Sequence, residues 1–415
     1  MWPRTAWPGA PGLCVLALFL SGAAACGSDS GKPQGCTTVL PLHPDPAANH
    51  DTIQTALANA QMGQVLCFEA GVYPLHDELT LTTAGVELRG STAGTGTVLD
   101  FDGQTSGANG LSVQADHFTL SRITLSNTAG DAVRVNKSDT VTFTDVTVTW
   151  RSPATSNGAY GLYPVECHHV LIDHCKVSGA SDAGIYVGQS DHVIVRNSEA
   201  LSNVAGIEIE NTTDAEVVGN YAHDNAGGIL VFNLPNLPVK DGKRAKVHQN
   251  QITSNNQPNF AAAGSIVSTV PTGSGMLLLS SDFNEIHDNT IADNESVGLA
   301  VVSYLLLQRN DYMTDPAYDL YPQGNFIHDN QAQHNGYDPQ GIALVLASLA
   351  SISTIEDLIW DGIADDTRTD PSLRNCFQNN SATFRYLDAA NNFQGTSTDI
   401  APYTCVGMTL PALSW

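Results

Sequence analysis

The chain has 415 residues, of which only 14% are charged, against roughly a quarter in an average soluble domain. With 42% hydrophobic residues it is too apolar for a disordered polymer. Its 17 Lys+Arg against 42 Asp+Glu leave a net charge of −25, a field that repels phosphate backbones and excludes nucleic acid as a partner.

Residues 1–25 have the three parts of an export signal: Arg4, an apolar run from Leu13 to Leu20, and the small residues Ala23, Ala24 and Ala25. The run is too short to remain as a membrane span. Cys26 stands where bacterial lipoprotein signals place the lipidated cysteine, although Ala23 occupies a position that such signals usually fill with Leu. Lipidation of Cys26 and ordinary signal cleavage both stay open. Either outcome exports the protein. The first anchors it to a membrane of the cell envelope, with residues 26–46 as tether. Beyond Cys14 and Cys26 six cysteines remain, an even number in an oxidising compartment. Sequence proximity pairs Cys36 with Cys67, Cys167 with Cys175, and Cys376 with Cys405 among the arrangements that six allow.

The first element expected is a short amphipathic helix over 51–60, capped by Asp51, with apolar residues at 53, 56, 57 and 60. Strings opening on a small residue then recur: AVRVNKSDTVTF from Ala132, GLYPVECHHVLI from Gly161, GIYVGQSDHVIV from Gly184, GIEIENTTDAEVV from Gly206. GILVFN from Gly228, GMLLLS from Gly275, GLAVVS from Gly298 and GIALVL from Gly341 continue the series. The starts at 161, 184, 206 and 228 lie 23, 22 and 22 residues apart. Each unit holds short β-branched runs separated by Asn, Asp, Ser or Gly, which is strand and turn chemistry.

A period that short leaves no room for crossover helices, so successive strands stack in parallel. The expected fold is all-β: a right-handed parallel β-helix of about ten coils, spaced about 4.8 Å apart, between Val65 and Phe384. A leucine-rich horseshoe would need a Leu-x-Leu lattice that is absent. The domain is assigned to 47–385, its first coil covered by the helix, and 386–415 form a terminal cap or tail. The rhythm fades after residue 346. Asn pairs recur as 220/225, 250/255, 289/294 and 330/335, with 197/203 one residue wider. Asn tolerates left-handed corners, and stacked amides can form a ladder, so at least the first of each pair is read as structural.

In each Gly-started strand the residues at +1 and +3 are apolar and face the interior, which sends +2 and +4 to the outside. The outer rows then gather Arg134, Tyr163, Tyr186 and Glu208, with Glu210 and Phe232 beside them and Lys137 and Glu166 just past the strand ends. Adjacent tyrosines offer an apolar platform with polar tips, suited to a sugar ring. Glu208 and Glu210, about 7 Å apart on one face, suit an inverting carboxylate pair or a Ca²⁺ site. Arg134 and Lys137 could serve a lyase as base and charge neutraliser. Insertions at 150–160, 234–246, 255–274 and 307–325 fall at both margins of this sheet and would wall a groove. Lys240, Lys243, Arg244 and Lys246 sit on one of them, as a solvated loop or a steering patch.

Two histidine patterns call for weighing. Cys167, His168, His169, His174 and Cys175 bracket one strand, where a metal site competes with a disulfide or inert core cysteines. His248, His287 and His328 recur two residues before a repeat Asn, and stack as surface repetition or as a transition-metal site. No specific metal ligand set is assigned, and no cofactor beyond a candidate Ca²⁺.

The strings GIYVGQS (184–190), NVAGIEIEN (203–211), GGILVFNLPNLPV (227–239) and Asn259-Phe260-Ala261 resemble a bacterial family of export-signal-bearing, often lipoprotein, right-handed parallel β-helix repeat proteins. The likeness covers roughly residues 47–345. It implies a pectin-lyase-like fold and an envelope location and carries no established activity. The functional expectation is a monomeric envelope protein that binds, and cleaves or epimerises, an extended polysaccharide. The alternative is a non-catalytic scaffold that docks a partner envelope protein or handles copper.

Overall fold

The computed structural model describes residues 35–415. Cys26, the signal segment and most of the tether fall outside the described residues. Within them the chain winds through three parallel sheets in a fixed order. Sheet I has 12 strands, sheet II has 10 and sheet III has 11, and in every sheet each strand pairs with its counterpart one coil away. The first full turn runs Val65–Phe68 (I), Gly71–Pro74 (II), Leu79–Leu81 (III). Inward positions fill one continuous lumen with Val, Ile, Leu and Phe, such as Ile185, Ile207 and Ile229, all fully buried and in register.

The glycine that opens each repeat is explained by proximity. A Cβ on Gly206, Gly228 or Gly275 would lie 2.4–2.7 Å from the carbonyl oxygen of the equivalent glycine in the next coil. At the corners the Asn pairs form two buried ladders. Asn203, Asn225, Asn255, Asn294 and Asn335 donate in succession from Nδ2 to the next Oδ1 at 2.8–3.1 Å, and Asp357 closes the row. Asn220, Asn250, Asn289, Asn330 and Asn380 form the second. Both members of each pair are therefore structural. Asn197 is the exception: Ser198 holds the ladder position, its backbone amide donating to Asn220 Oδ1, while Asn197 turns outward and donates to Asp173.

Four expectations need correction. Helix α1 spans Pro46–Ala58 and is capped by Asp45, earlier than Asp51, because Pro46 supplies a favourable first helical residue. Ile53 and Leu57 are its buried face, as the pattern required. The GIALVL string is a helix, α2 (Gly341–Leu349), and the strand due in sheet III comes later at Leu358–Trp360. Ala and Leu favour helix locally, and Ala343, Leu346 and Ala347 bury one stripe against the outside of sheet III. The rhythm also does not end at 346: strands at Cys376–Gln378 and Phe384–Tyr386 continue sheets I and III.

Cys36–Cys67 and Cys376–Cys405 are disulfides, whereas Cys167 and Cys175 are free and buried. These two flank the strand His168–Asp173 at opposite corners, about 25 Å apart in extended chain, beyond the reach of any S–S bond. Burial pushes their thiols up to about 11 and about 12.

The C-terminal segment turns back from Cys405 and runs along the outside of sheet I against the direction of coiling. The Lys246 ammonium donates to the Leu410 carbonyl, and the Leu410 and Leu413 amides donate to Glu285 and Glu216.

Candidate functional site

Sheet III does bring the expected outer rows together. Arg134 pairs in register with Tyr163, Tyr186 with Glu208, and Gly188 with Glu210. All point away from the lumen. They are not, however, uniformly solvated. Arg134 and Tyr163 are half-buried, but Tyr186, Glu208 and Phe232 are each 3% exposed and Glu210 7%. The insertions that were expected to wall a groove instead roof the sheet from Glu208 onward. Phe232, Leu277, Leu279 and Ala300 join α2 and residues 266–271 and 304–307 in a second apolar cluster outside the coil. Phe232 is thus a packing residue and not a binding platform. Only an apolar crevice of about 60 Å³ remains there.

At the edge of that roof lies a concentration of acid. Glu208 and Glu210 are joined by Asp131 and Asp182, under Tyr160, Tyr163 and Tyr186, whose rings lie 4.5–5.0 Å apart. Gly188 makes this packing possible, because a Cβ there would fall 2.3 Å from the Tyr186 hydroxyl. The phenol lies across the glycine and donates to Glu210 Oε1 at 2.5 Å. Gln189 Nε2 stands 3.5 Å from the same oxygen. Tyr160 approaches Asp182 as a donor. Glu208 Oε2 is buried with no hydrogen-bond partner.

Burial dominates the electrostatics. It holds Asp131 up at about 6 and, reinforced by the Glu210 charge, Asp182 at about 7. Burial likewise raises Glu210 to about 7, against the lowering effect of the Tyr186 hydroxyl, and drives Glu208 well above the carboxylate range. Arg134 is the cation that relieves Asp131, and its guanidinium lies 5.3 Å from the Tyr163 ring centre. Desolvated carboxyls are costly, and several held together with raised pKa values mark a candidate functional site.

Beside this cluster, along the corner between sheets III and I, runs a polar cleft of about 630 Å³. Lys137, Glu166 and Gln189 line it from left-handed corner positions (φ 53–54°), and His168, Asp191, His192 and Asp214 line the other side. Lys137 and Glu166 form an ion pair along their side of it at 3.6 Å. Gln189 connects the cleft to the Tyr186–Glu210 pair. Sequence reasoning missed Asp131, Asp182, Tyr160 and Gln189. The signal was present for the two aspartates, each of which directly precedes an Ala at a strand start, but charge before a strand reads as ordinary turn chemistry.

The other candidates separate from the site. Lys240, Lys243, Arg244 and Lys246 are paired with Asp315, Asp241, Asp214 and Glu285, so they form no free steering patch. His168, His169 and His174 face outward to Asp191, Asp139 and Asp173, while the Cys167 and Cys175 thiols are buried against backbone carbonyls. His248, His287 and His328 stack at 4.8 and 5.0 Å with planes 7° apart, and the outer two bond Glu216 and Glu285. Among the described residues no group of three or more His, Cys, Asp or Glu converges to hold a metal, so the Ca²⁺ and transition-metal expectations find no ligand set there.

The family model described as a right handed beta helix region matches residues 109–268. No curated protein matches. Among solved structures, a mutant DFA-IIIase from Arthrobacter chlorophenolicus A6 in complex with DFA-III is similar with a TM-score of 0.51 and 12% identity. The match covers 82% of this chain and 94% of that one. The same enzyme with GF2 gives 0.50, at 12% identity over 82% and 93%. The mannuronan C-5 epimerase AlgE4 A-module of Azotobacter vinelandii gives 0.47, at 15% identity over 80% and 90%. The architecture is thus a right-handed parallel β-helix of pectin-lyase-like type.

Proposed function

We propose that this right-handed β-helix protein binds an extended carbohydrate along the sheet III face and its corner cleft, and hydrolyses it by acid–base chemistry. The observation that carries the reading is the group of four desolvated carboxyls, Asp131, Asp182, Glu208 and Glu210, packed under three tyrosines beside an open polar cleft. Tyrosine faces and hydroxyls suit sugar rings, and carboxyls that keep protons near neutral pH suit protonation of a glycosidic oxygen. Glu210, oriented by Tyr186 and Gln189, is the proton donor. Asp182, whose carboxyl feels the Glu210 charge, is the acceptor that activates water. Arg134 and Tyr163 hold the neighbouring sugar. The carboxyl grouping favours hydrolysis over β-elimination, because Lys137 is already paired with Glu166.

The test is turnover of a panel of linear oligosaccharides by wild type and Glu210→Gln. The variant should lose at least about 100-fold in kcat, in line with the loss of one general acid, with an unchanged fold by circular dichroism. Equal turnover by both, or products with unsaturated ends, would refute the assignment.

Cys26 is proposed as the lipid anchor that holds the site at the envelope. The Cys26→Ser protein should then move from the membrane to the soluble fraction, and its staying on the membrane would count against an acyl anchor.

A further inference from the structure

We infer that the site takes the end of a carbohydrate chain and not its middle. This rests on the carbohydrate reading above and deepens it.

The corner cleft follows the stacked turns that carry Asp116, Asp139, His168, Asp191 and Thr213, four coil steps or about 20 Å. It stops at Val239. The insertion bearing Val239 is laid across the next turn and fixed there. Asn211 donates from Nδ2 to the Leu234 and Val239 carbonyls at 3.0 and 2.9 Å and accepts from the Leu234 amide at 2.7 Å. Gly242 lies so close that a Cβ would be 2.3 Å from the Thr212 amide nitrogen. The far side is clamped as well, with Lys240 Nζ 2.6 Å and the Asn236 amide 2.7 Å from Asp315.

The open part of the sheet face ends at the same barrier. Leu237 and Phe260 pack against the apolar cluster that holds Tyr186, together with Tyr160 and Tyr163. Behind them the outer rows are apolar and closed, with Leu230 0% exposed. On the amino-terminal side the rows stay accessible: Thr80 is exposed, and Ser112 and Arg134 half-buried. A sugar chain can therefore enter over Arg134 and Tyr163 but cannot continue past Glu208 and Glu210. The reactive carboxyls stand at the closed end, where only a terminal residue fits. A site built for internal linkages would need both ends open, with carboxyls midway.

The experiment uses the full chain with linear hexasaccharides of β-1,4-linked glucose, mannose and xylose and of α-1,4-linked galacturonic acid. Each is supplied free, with a methyl ether on its non-reducing terminus, or reduced to the alditol. Products are followed from the first few per cent of reaction. The expected result is that one of the two end modifications lowers turnover at least 100-fold, and that the first products are one terminal fragment and its complementary shortened chain, with no other lengths. Early appearance of all lengths, with both modified forms consumed as fast as the free one, overturns the chain-end inference and leaves the carbohydrate reading standing. Neither binding nor turnover of any member of the panel overturns the carbohydrate reading itself, and this inference with it.

Discussion

Glu208 is the most deeply buried of the four acids at the site. Its carboxyl is buried against Asp182 and Glu210 with one oxygen unpartnered. All three, and Asp131, bind a proton more tightly in the folded than in the unfolded state. The sign follows from that ordering. The folded protein has its full advantage below the ordinary carboxylate range and loses it as pH rises through about 6 and 7, where Asp131, Asp182 and Glu210 ionise. Thermal midpoints should therefore fall between about pH 5 and pH 8, and Glu208→Gln should flatten that fall while leaving the acid side unchanged. A parallel pH profile for variant and wild type would mean that Glu208 is not part of the titrating group. Residue identities at this site were legible only in part. The two-residue alternation identified which of Tyr186, Glu208 and Glu210 face outward. It carries no information on what packs around them, since Leu237 and Phe260, which pack against the cluster that holds Tyr186, come from insertions outside the repeat.

At the scale of elements, the repeating corner was the most readable feature and α2 the least. The Asn spacing is set by the coil itself, so period and ladder are the same information. Asn289 shows what the ladder contributes. It donates to Val247 O and Asn330 Oδ1 and accepts from the Asn250 amide and side chain, all fully buried. Asn289→Ala removes these bonds and strands partners in two coils, an expected loss of about 3–5 kcal/mol in urea unfolding. A loss under about 1 kcal/mol would show that water replaces the amide. GIALVL misled because Gly, Ile and Val at a strand start are the repeat's own signature. The decision between strand and helix came from outside the string, where the roof over sheet III offers Leu346 and Ala347 an apolar seat. Helix α2 still leaves Leu344, Val345 and Leu349 more than half exposed, so tertiary contact and not amphipathic pattern settles it.

Over the whole molecule, nearly every strand contact links adjacent coils, so stability is distributed along the axis and the ends depend on their closures. Sequence proximity anticipates both end disulfides, at separations of 31 and 29 residues, but misassigns Cys167 and Cys175. Replacing Cys376 and Cys405 with Ser should cost about 3 kcal/mol for a loop of this size. Hydrogen exchange should then rise first in the strands at 358–386 while 183–232 stay protected. A uniform rise throughout would mean that the solenoid unfolds as a single block. The Cys167 and Cys175 thiols should react with a thiol reagent only after denaturation.

The returning C-terminal segment has a mechanical corollary. Because Leu413 is fastened to Glu216 and Leu410 to Glu285, a tug on Trp415 does not load the last coil first. The force enters several rungs inward and must unzip the fastening bond by bond before it reaches the Cys405 crosslink. Stretched in an optical trap by its carboxy terminus, the protein should yield at low tension over a short distance, then resist steeply. The rod would thus have a built-in shock absorber at its carboxy-terminal end.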